Sequence, residues 1–186
     1  MKNLTGKSIA IVATNGFEQS ELEVPLKSLR EAGADVHVIS LEAGEIKGWD
    51  NKDWGRSVPV DKTLDAVSAD DYDAIVLPGG QMNPDLLRVE PKVIDLIKAF
   101  WTQKKVVAAV CHAPWLLVEA GIVNGRKVTS YVSIKTDVIN AGGLWEDSEV
   151  VSDMGLVTSR KPDDLPAFCD KIAEEILEGL HEKRGV

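Results

Sequence analysis

Cys111 and His112 stand side by side where a fully apolar run, Val106–Val110, gives way to Ala113-Pro114. A nucleophile on a sharp strand-to-helix turn is held clear of the sheet, and small flanking residues let strand and helix approach each other. Here the turn reads A-x-C-x-A, with Pro114 in the first turn of the helix. A helix N-terminus favours thiolate, so this placement predicts a depressed Cys111 pKa. The imidazole one residue on is a candidate base or acid. Amides at the turn, together with those of Gly79 and Gly80 at a neighbouring strand end, are candidate oxyanion donors. A buried, inert cysteine is the competing reading of the same residues. Cys169, next to Phe168 on an amphipathic stretch and far from any strand end, reads as packing.

Other chemistries lack their residues. No G-x-G-x-x-G or G-x-x-x-x-G-K-[ST] is present, so neither a dinucleotide nor a P-loop phosphate cradle is expected. His37, His112 and His181 are scattered without zinc spacing, so no metal is expected. A glutaminase reading would need a late H-x-E, whereas His181 is followed directly by Glu182. With 30 acidic against 21 basic residues and a formal charge of −9, a nucleic acid is not expected as the main partner, nor is a membrane. Two cysteines make no disulfide framework and fit a reducing compartment. The apolar patch Ile9–Ala13 is shorter than the ~7–15 residues of a secretory h-region, so a cytoplasmic protein is expected.

The elements that must carry the turn alternate between short apolar strands and helical stretches. Strands are predicted at Ser8–Thr14, Val36–Ser40, Asp73–Leu77 and Val106–Val110, with short ones at Lys127–Tyr131, Val150–Ser152 and Leu156–Thr158. Helices are predicted at Glu18–Ala32, Pro91–Trp101, Pro114–Ala120, Ile134–Asn140 and Pro162–Leu180. Pro25 predicts a kink or a late start in the first of these. Lys183 and Arg184 suit the negative end of the last. Ala43–Val60, rich in Gly and Trp, reads as a hairpin or edge excursion. This order predicts a three-layer α/β sandwich, a parallel sheet with helices on both faces, in one domain over residues 1–186. Ligands in such folds sit beyond the carboxyl ends of the strands, at the loops Asn15–Glu18, Pro78–Asp85 and Cys111–Pro114.

The sequence resembles the DJ-1/PfpI superfamily, in its PfpI-like branch, nearly end to end. The resemblance lies in Gly16-Phe17-Glu18 with Glu21-Leu22 and Pro25, in Tyr72-Asp73-Ala74 leading to Leu77-Pro78-Gly79-Gly80, and in Ala109-Val110-Cys111-His112-Ala113-Pro114. It continues in Val128-Thr129-Ser130-Tyr131 and Leu156-Val157-Thr158-Ser159-Arg160. The resemblance implies a flavodoxin-like fold with a nucleophile elbow, a homodimer or larger homo-oligomer, and Cys111 as nucleophile. It further implies Glu18 as a protonated acid beside the Cys111 sulfur, and His112 as a base oriented by an acid of a partner subunit. Asp85 matches that acid's position, although Gln81-Met82-Asn83 put one residue more than the pattern before Pro84-Asp85; a first-turn helix acid is its plainer reading. Ala113 replaces a frequent glycine and fits if its backbone is helical. Tyr131 is the matching pocket tyrosine, against a packed strand tyrosine.

The resemblance implies a stress-response cysteine enzyme, a cofactor-free hydrolase or lyase acting on reactive carbonyls or their adducts. Glyoxalase, deglycase and intracellular peptidase activities are all ascribed to this family. The alternative is a non-catalytic redox sensor or chaperone that works through oxidation of an accessible, low-pKa Cys111.

Overall fold

Alternation of side chains across the strands builds the molecule. The structure, a computed structural model, describes residues 2–184. Its elements are β1 (Ser8–Val12), β2 (Phe17–Glu18), α1 (Gln19–Glu31), β3 (Asp35–Ser40), β4 (Glu45–Asp50), β5 (Asp53–Pro59), β6 (Lys62–Thr63), β7 (Ala74–Leu77) and α2 (Met82–Leu87). There follow α3 (Pro91–Thr102), β8 (Val106–Val110), α4 (Pro114–Glu119), β9 (Lys127–Val128), α5 (Lys135–Asn140), β10 (Leu144–Trp145), β11 (Val150–Asp153), β12 (Leu156–Ser159) and α6 (Leu165–Glu178). The central sheet has the order β11-β12-β8-β7-β1-β3-β6, with every pair parallel except β11 with β12.

On β8, Val107 and Ala109 face one core with Phe100, Leu116 and Val138, while Val106, Ala108 and Val110 face the other with Leu22, Phe168 and Ile172. A strand buried on both faces must be apolar at every position, which is why this stretch lacks a polar residue. The chain turns one way from β1 to β3 and the other way to β7 and β8. This places a topological switch point beside the loops after β1, β7 and β8.

Several predicted elements differ in detail. α1 runs unbroken through the buried Pro25 and starts at Gln19, neither late nor interrupted. The Ala43–Val60 excursion is the antiparallel hairpin β4–β5, and β2 pairs in parallel with β4 to complete a three-stranded sheet. The strand predicted to reach Tyr131 stops at Val128, and a 3₁₀ turn follows at Val132–Ile134. The last helix ends at Glu178, before Gly179 at φ 87°.

Arg184 does not act as a solvated cation at that helix end. Its guanidinium is buried, stacks on Trp101 at 3.7 Å, and donates to the carbonyls of Lys105 (3.0 Å), Met154 (3.1 Å) and Trp101 (2.6 Å). Arginine's planar fork suits carbonyl capture and aromatic stacking at once, which outweighs the helix-end attraction. No helix among the described residues is long and apolar enough to cross a membrane.

Candidate active site

The loops after β7 and β8 meet at Cys111. Cys111 has φ 64°, a left-handed backbone that costs a non-glycine residue of order 1 kcal/mol or more and that marks a functional constraint when it occurs in a packed turn. Three backbone bonds hold the turn: the Cys111 amide donates to Ser159 (3.1 Å), the Tyr131 amide to the Cys111 carbonyl (2.8 Å), and the Ala113 amide to Val110 (3.0 Å). Ala113 is helical at φ −59°, so a methyl group fits where a glycine is frequent.

The acid at the sulfur is Glu21, not Glu18. Glu21 is fully buried on α1, its Oε2 accepts the Gly79 amide at 2.9 Å, and its carboxyl is in hydrogen-bonding contact with the Cys111 sulfur. Buried Oε1 has no nitrogen or oxygen partner. An orphan carboxyl oxygen in a dry site favours the protonated form, and burial, with Glu18 nearby, pushes the Glu21 pKa up to about 8. Glu18 sits at the start of the helix and lines the cleft half-buried, with its carboxyl raised by burial and by Asp50. Glu18 precedes the first helical turn with an extended backbone (φ −62°, ψ 117°), whereas Glu21 lies within α1 on the buried stripe that carries Leu22, Pro25 and Leu29.

The thiol itself is pushed up, not down. Burial is the main cause and the Glu21 carboxylate the second, while the amides of Gly80 and His112, hydrogen-bonded to the sulfur, pull the other way. The expected depression fails because α4 is a six-residue helix, whose end field is small beside the desolvation of a cysteine only 7% exposed. Of the glycine pair, only Gly80 offers its amide to the sulfur, and it acts on the Glu21 carboxyl as well; the Gly79 amide is committed to Glu21. A Cβ on Gly79 would lie 2.5 Å from Glu21 Oε2 and 2.7 Å from the Cys111 Cβ, so only glycine fits there.

His112 Nδ1 lies 3.2 Å from the Cys111 sulfur, and Nε2 lies 3.1 Å from Ser133 Oγ. Burial pulls its pKa below 6.5, so the ring is neutral at pH 7. Tyr131 stacks on the ring at 4.9 Å and Trp115 meets it edge-on at 5.2 Å. Tyr131 is therefore a cleft wall, not a packed strand residue. Asp85 is exposed in the first turn of α2 and does not line the cleft of its own chain. The cleft, about 470 Å³, is also lined by Trp49 and Asn51 of the β4–β5 hairpin.

Sequence reasoning missed Glu21, Ser133, Trp49 and Asn51. A signal existed only for Glu21: a carboxylate on the apolar stripe of the helix that follows the first strand.

The sequence pattern of the DJ-1/PfpI family matches residues 7–175. The chain belongs to the DJ-1/PfpI family. General stress protein 18 of Bacillus subtilis is 47% identical over 165 residues, covering 88% of this chain and 94% of that protein. Deglycase PfpI of Pyrococcus furiosus is 44% identical over 160 residues, covering 86% and 93%. Among solved structures, Drosophila melanogaster DJ-1beta superposes with a TM-score of 0.82 at 31% identity, covering 96% of this chain and 95% of that one. The fold is accordingly the flavodoxin-like sandwich of the DJ-1/PfpI family.

Away from the cleft, Glu175, Glu178 and His181 bring possible ligand atoms within 4.8 Å of one another. Glu175 Oε2 already accepts the Gly155 amide at 2.8 Å and faces His181 Nε2 at 3.5 Å.

Proposed function

We propose that the protein is a cysteine-dependent enzyme of the stress response, a cofactor-free hydrolase or lyase acting on reactive carbonyls or their adducts. The observation that carries this reading is the sulfur of Cys111 held between a neutral imidazole nitrogen at 3.2 Å and a buried, protonated carboxyl. Relatives named as a deglycase and as a general stress protein support it.

The three groups divide the work. His112 Nδ1 takes the thiol proton. The Glu21 carboxylic acid and the amides of Gly80 and His112 stabilise the thiolate that forms. The sulfur adds to the carbonyl carbon, whose π pair moves to oxygen, and the oxyanion takes the proton from the His112 imidazolium. As the sulfur loses its charge, the Gly80 and His112 amides become free to serve the oxygen. For a dicarbonyl, the hydrogen on the attacked carbon then leaves as a proton, and its bonding pair forms an enediolate as the hydroxyl proton passes to the neighbouring oxygen. The proton returns to the neighbouring carbon as the attacked carbon becomes a thioester carbonyl. Glu18, lining the cleft with a raised pKa, is the group assigned to carry that proton. The resulting thioester is hydrolysed by water, which returns the thiol. No step needs an added cofactor.

The sensor reading needs an accessible, low-pKa thiol, and the burial that raises Cys111 weighs against it. We assign the working form to a cytoplasmic homodimer or larger homo-oligomer, with Asp85 of one protomer facing the site of the other. Methylglyoxal turnover and release of free amine from glycated peptides by wild type, with both lost in Cys111→Ser, is the expected result. Equal activity in the variant would overturn the reading.

A further inference from the structure

Stacking cannot by itself orient His112. A ring lying on Tyr131 keeps the same plane when it turns half-way round about Cβ–Cγ, but that turn exchanges Nδ1 with Cδ2 and Nε2 with Cε1. The two nitrogens are told apart only by what they meet, and here Nδ1 meets the Cys111 sulfur at 3.2 Å while Nε2 meets Ser133 Oγ at 3.1 Å. A neutral imidazole has one donor and one acceptor nitrogen. If Nδ1 is to accept the thiol proton, the ring hydrogen must sit on Nε2, and Ser133 Oγ must accept it.

We propose that Ser133 is a positioning residue for the proton transfer. Its hydroxyl fixes both the flip and the tautomer of His112, so that the lone pair of Nδ1 faces the thiol. The geometry serves both ends of the step. Before it, Nε2–H donates to Ser133 and the S–H bond of Cys111 points at Nδ1. After it, the imidazolium donates from both nitrogens, to the thiolate and to Ser133. The proton crosses from sulfur to nitrogen and Ser133 changes nothing but its hydrogen-bond strength. Ser133 is suited to this because it sits on the 3₁₀ turn immediately after Tyr131, whose amide is tied to the Cys111 carbonyl. Base, ring stack and hydroxyl therefore move as one unit with the elbow. Ser133 supplies this orienting contact from within the chain.

The inference rests on Cys111 and His112 being the reacting pair, and two of its readouts do not depend on any carbonyl substrate. In Ser133→Ala, kcat for methylglyoxal is expected to fall about tenfold with KM within about twofold of wild type, a fraction of what a general base supplies. Alkylation of Cys111 by iodoacetamide at pH 7 should slow by a similar factor. The 15N shifts of His112, assigned by the signals missing from His112→Gln, should move from a protonated-Nε2 pattern toward a mixture of tautomers. Ser133→Thr, which keeps the hydroxyl, should restore all three to within about twofold. Wild-type alkylation and an unchanged tautomer in Ser133→Ala would overturn the proposal while leaving the carbonyl reading intact. Altered alkylation with no carbonyl turnover by wild type would overturn that reading and leave the role of Ser133 standing.

Discussion

The Glu21 carboxyl and the Cys111 sulfur meet in a dry contact that ties the titration of each to the other. Each group is penalised for charging by burial, and a second negative charge beside the first is penalised again. The pair therefore rests with both protons in place, Glu21 as an acid and Cys111 as a thiol, and in the proposed mechanism His112 removes the thiol proton for chemistry to begin. A resting thiol that becomes a thiolate only when the base acts is guarded against stray electrophiles.

The rate should follow a bell in pH. On the acid side His112 must be neutral, and because burial lowers its pKa the limb lies below 6.5. On the alkaline side Glu21 ionises around pH 8, its donated hydrogen bond is lost, and its charge opposes thiolate formation. Turnover should therefore decline above about pH 8, where an isolated cysteine would become more reactive. Glu21→Gln keeps a neutral hydrogen-bonding side chain that cannot ionise, so its profile should lack the alkaline limb. Measurement of kcat/KM from pH 5 to 10 for both proteins checks this, and a wild-type rate that keeps rising past pH 9 would sink it.

The same carboxyl makes stability fall with pH. In the unfolded chain it ionises near 4.5 and in the folded one near 8, so between those values the native state holds a proton that the unfolded state has released. Stability then falls as pH rises through this window and is level with respect to this group above it. At pH 7 the cost is on the order of 3 kcal/mol. Glu21→Gln, whose amide oxygen can still accept from Gly79, should be more stable than wild type by an amount of this order at pH 7 and by little at pH 4.5. Urea titrations of the two proteins at both pH values give the comparison.

Gly79 is where the glutamate, the elbow and the strand end crowd together. A methyl group there would press on Glu21 Oε2, the Val110 carbonyl (2.6 Å) and the Cys111 Cβ, and only the side chains could yield. Gly79→Ala should cost about 1–3 kcal/mol of stability, as over-packing does, and should lower turnover by displacing the Glu21 contact. Unchanged turnover in a folded Gly79→Ala protein would mean that the Glu21 contact is not needed.

Legibility in the sequence followed periodicity and local chemistry. The apolar runs at Ser8–Thr14, Asp73–Leu77 and Val106–Val110 read as strands, the last as one buried on both faces, and the Cys111 elbow followed from its place after that one. What lay beyond reach depended on the third dimension. The apolar stripe of the first helix held a signal for Glu21, but its contact with the sulfur depends on how α1 packs on the sheet. The thiol's direction of shift hinged on burial, which a helix N-terminus read from sequence does not report. Ser133 and Trp49 reach the cleft from segments without regular period, a 3₁₀ turn and a hairpin.

That hairpin sets the last expectation. Trp49 lies at the cleft mouth, braced edge-on by Trp54 at 5.6 Å, and its Nε1 donates to the Asn51 carbonyl at 3.1 Å. It is an aromatic wall beside Glu18, its register partner across the β2–β4 pair, and its ring itself carries no proton in the reaction. Removing it should weaken ground-state and transition-state binding alike, which raises KM and leaves kcat in place. An aromatic contact of this kind contributes roughly 0.5–1.5 kcal/mol, so Trp49→Ala should raise KM by about two- to twelvefold. The effect should grow with the size of the group attached to the carbonyl, because only larger substrates reach the mouth. Comparing methylglyoxal with a glycated peptide in wild type and Trp49→Ala tests this, and an equal KM for both substrates in both proteins would mean that substrate does not pass the hairpin.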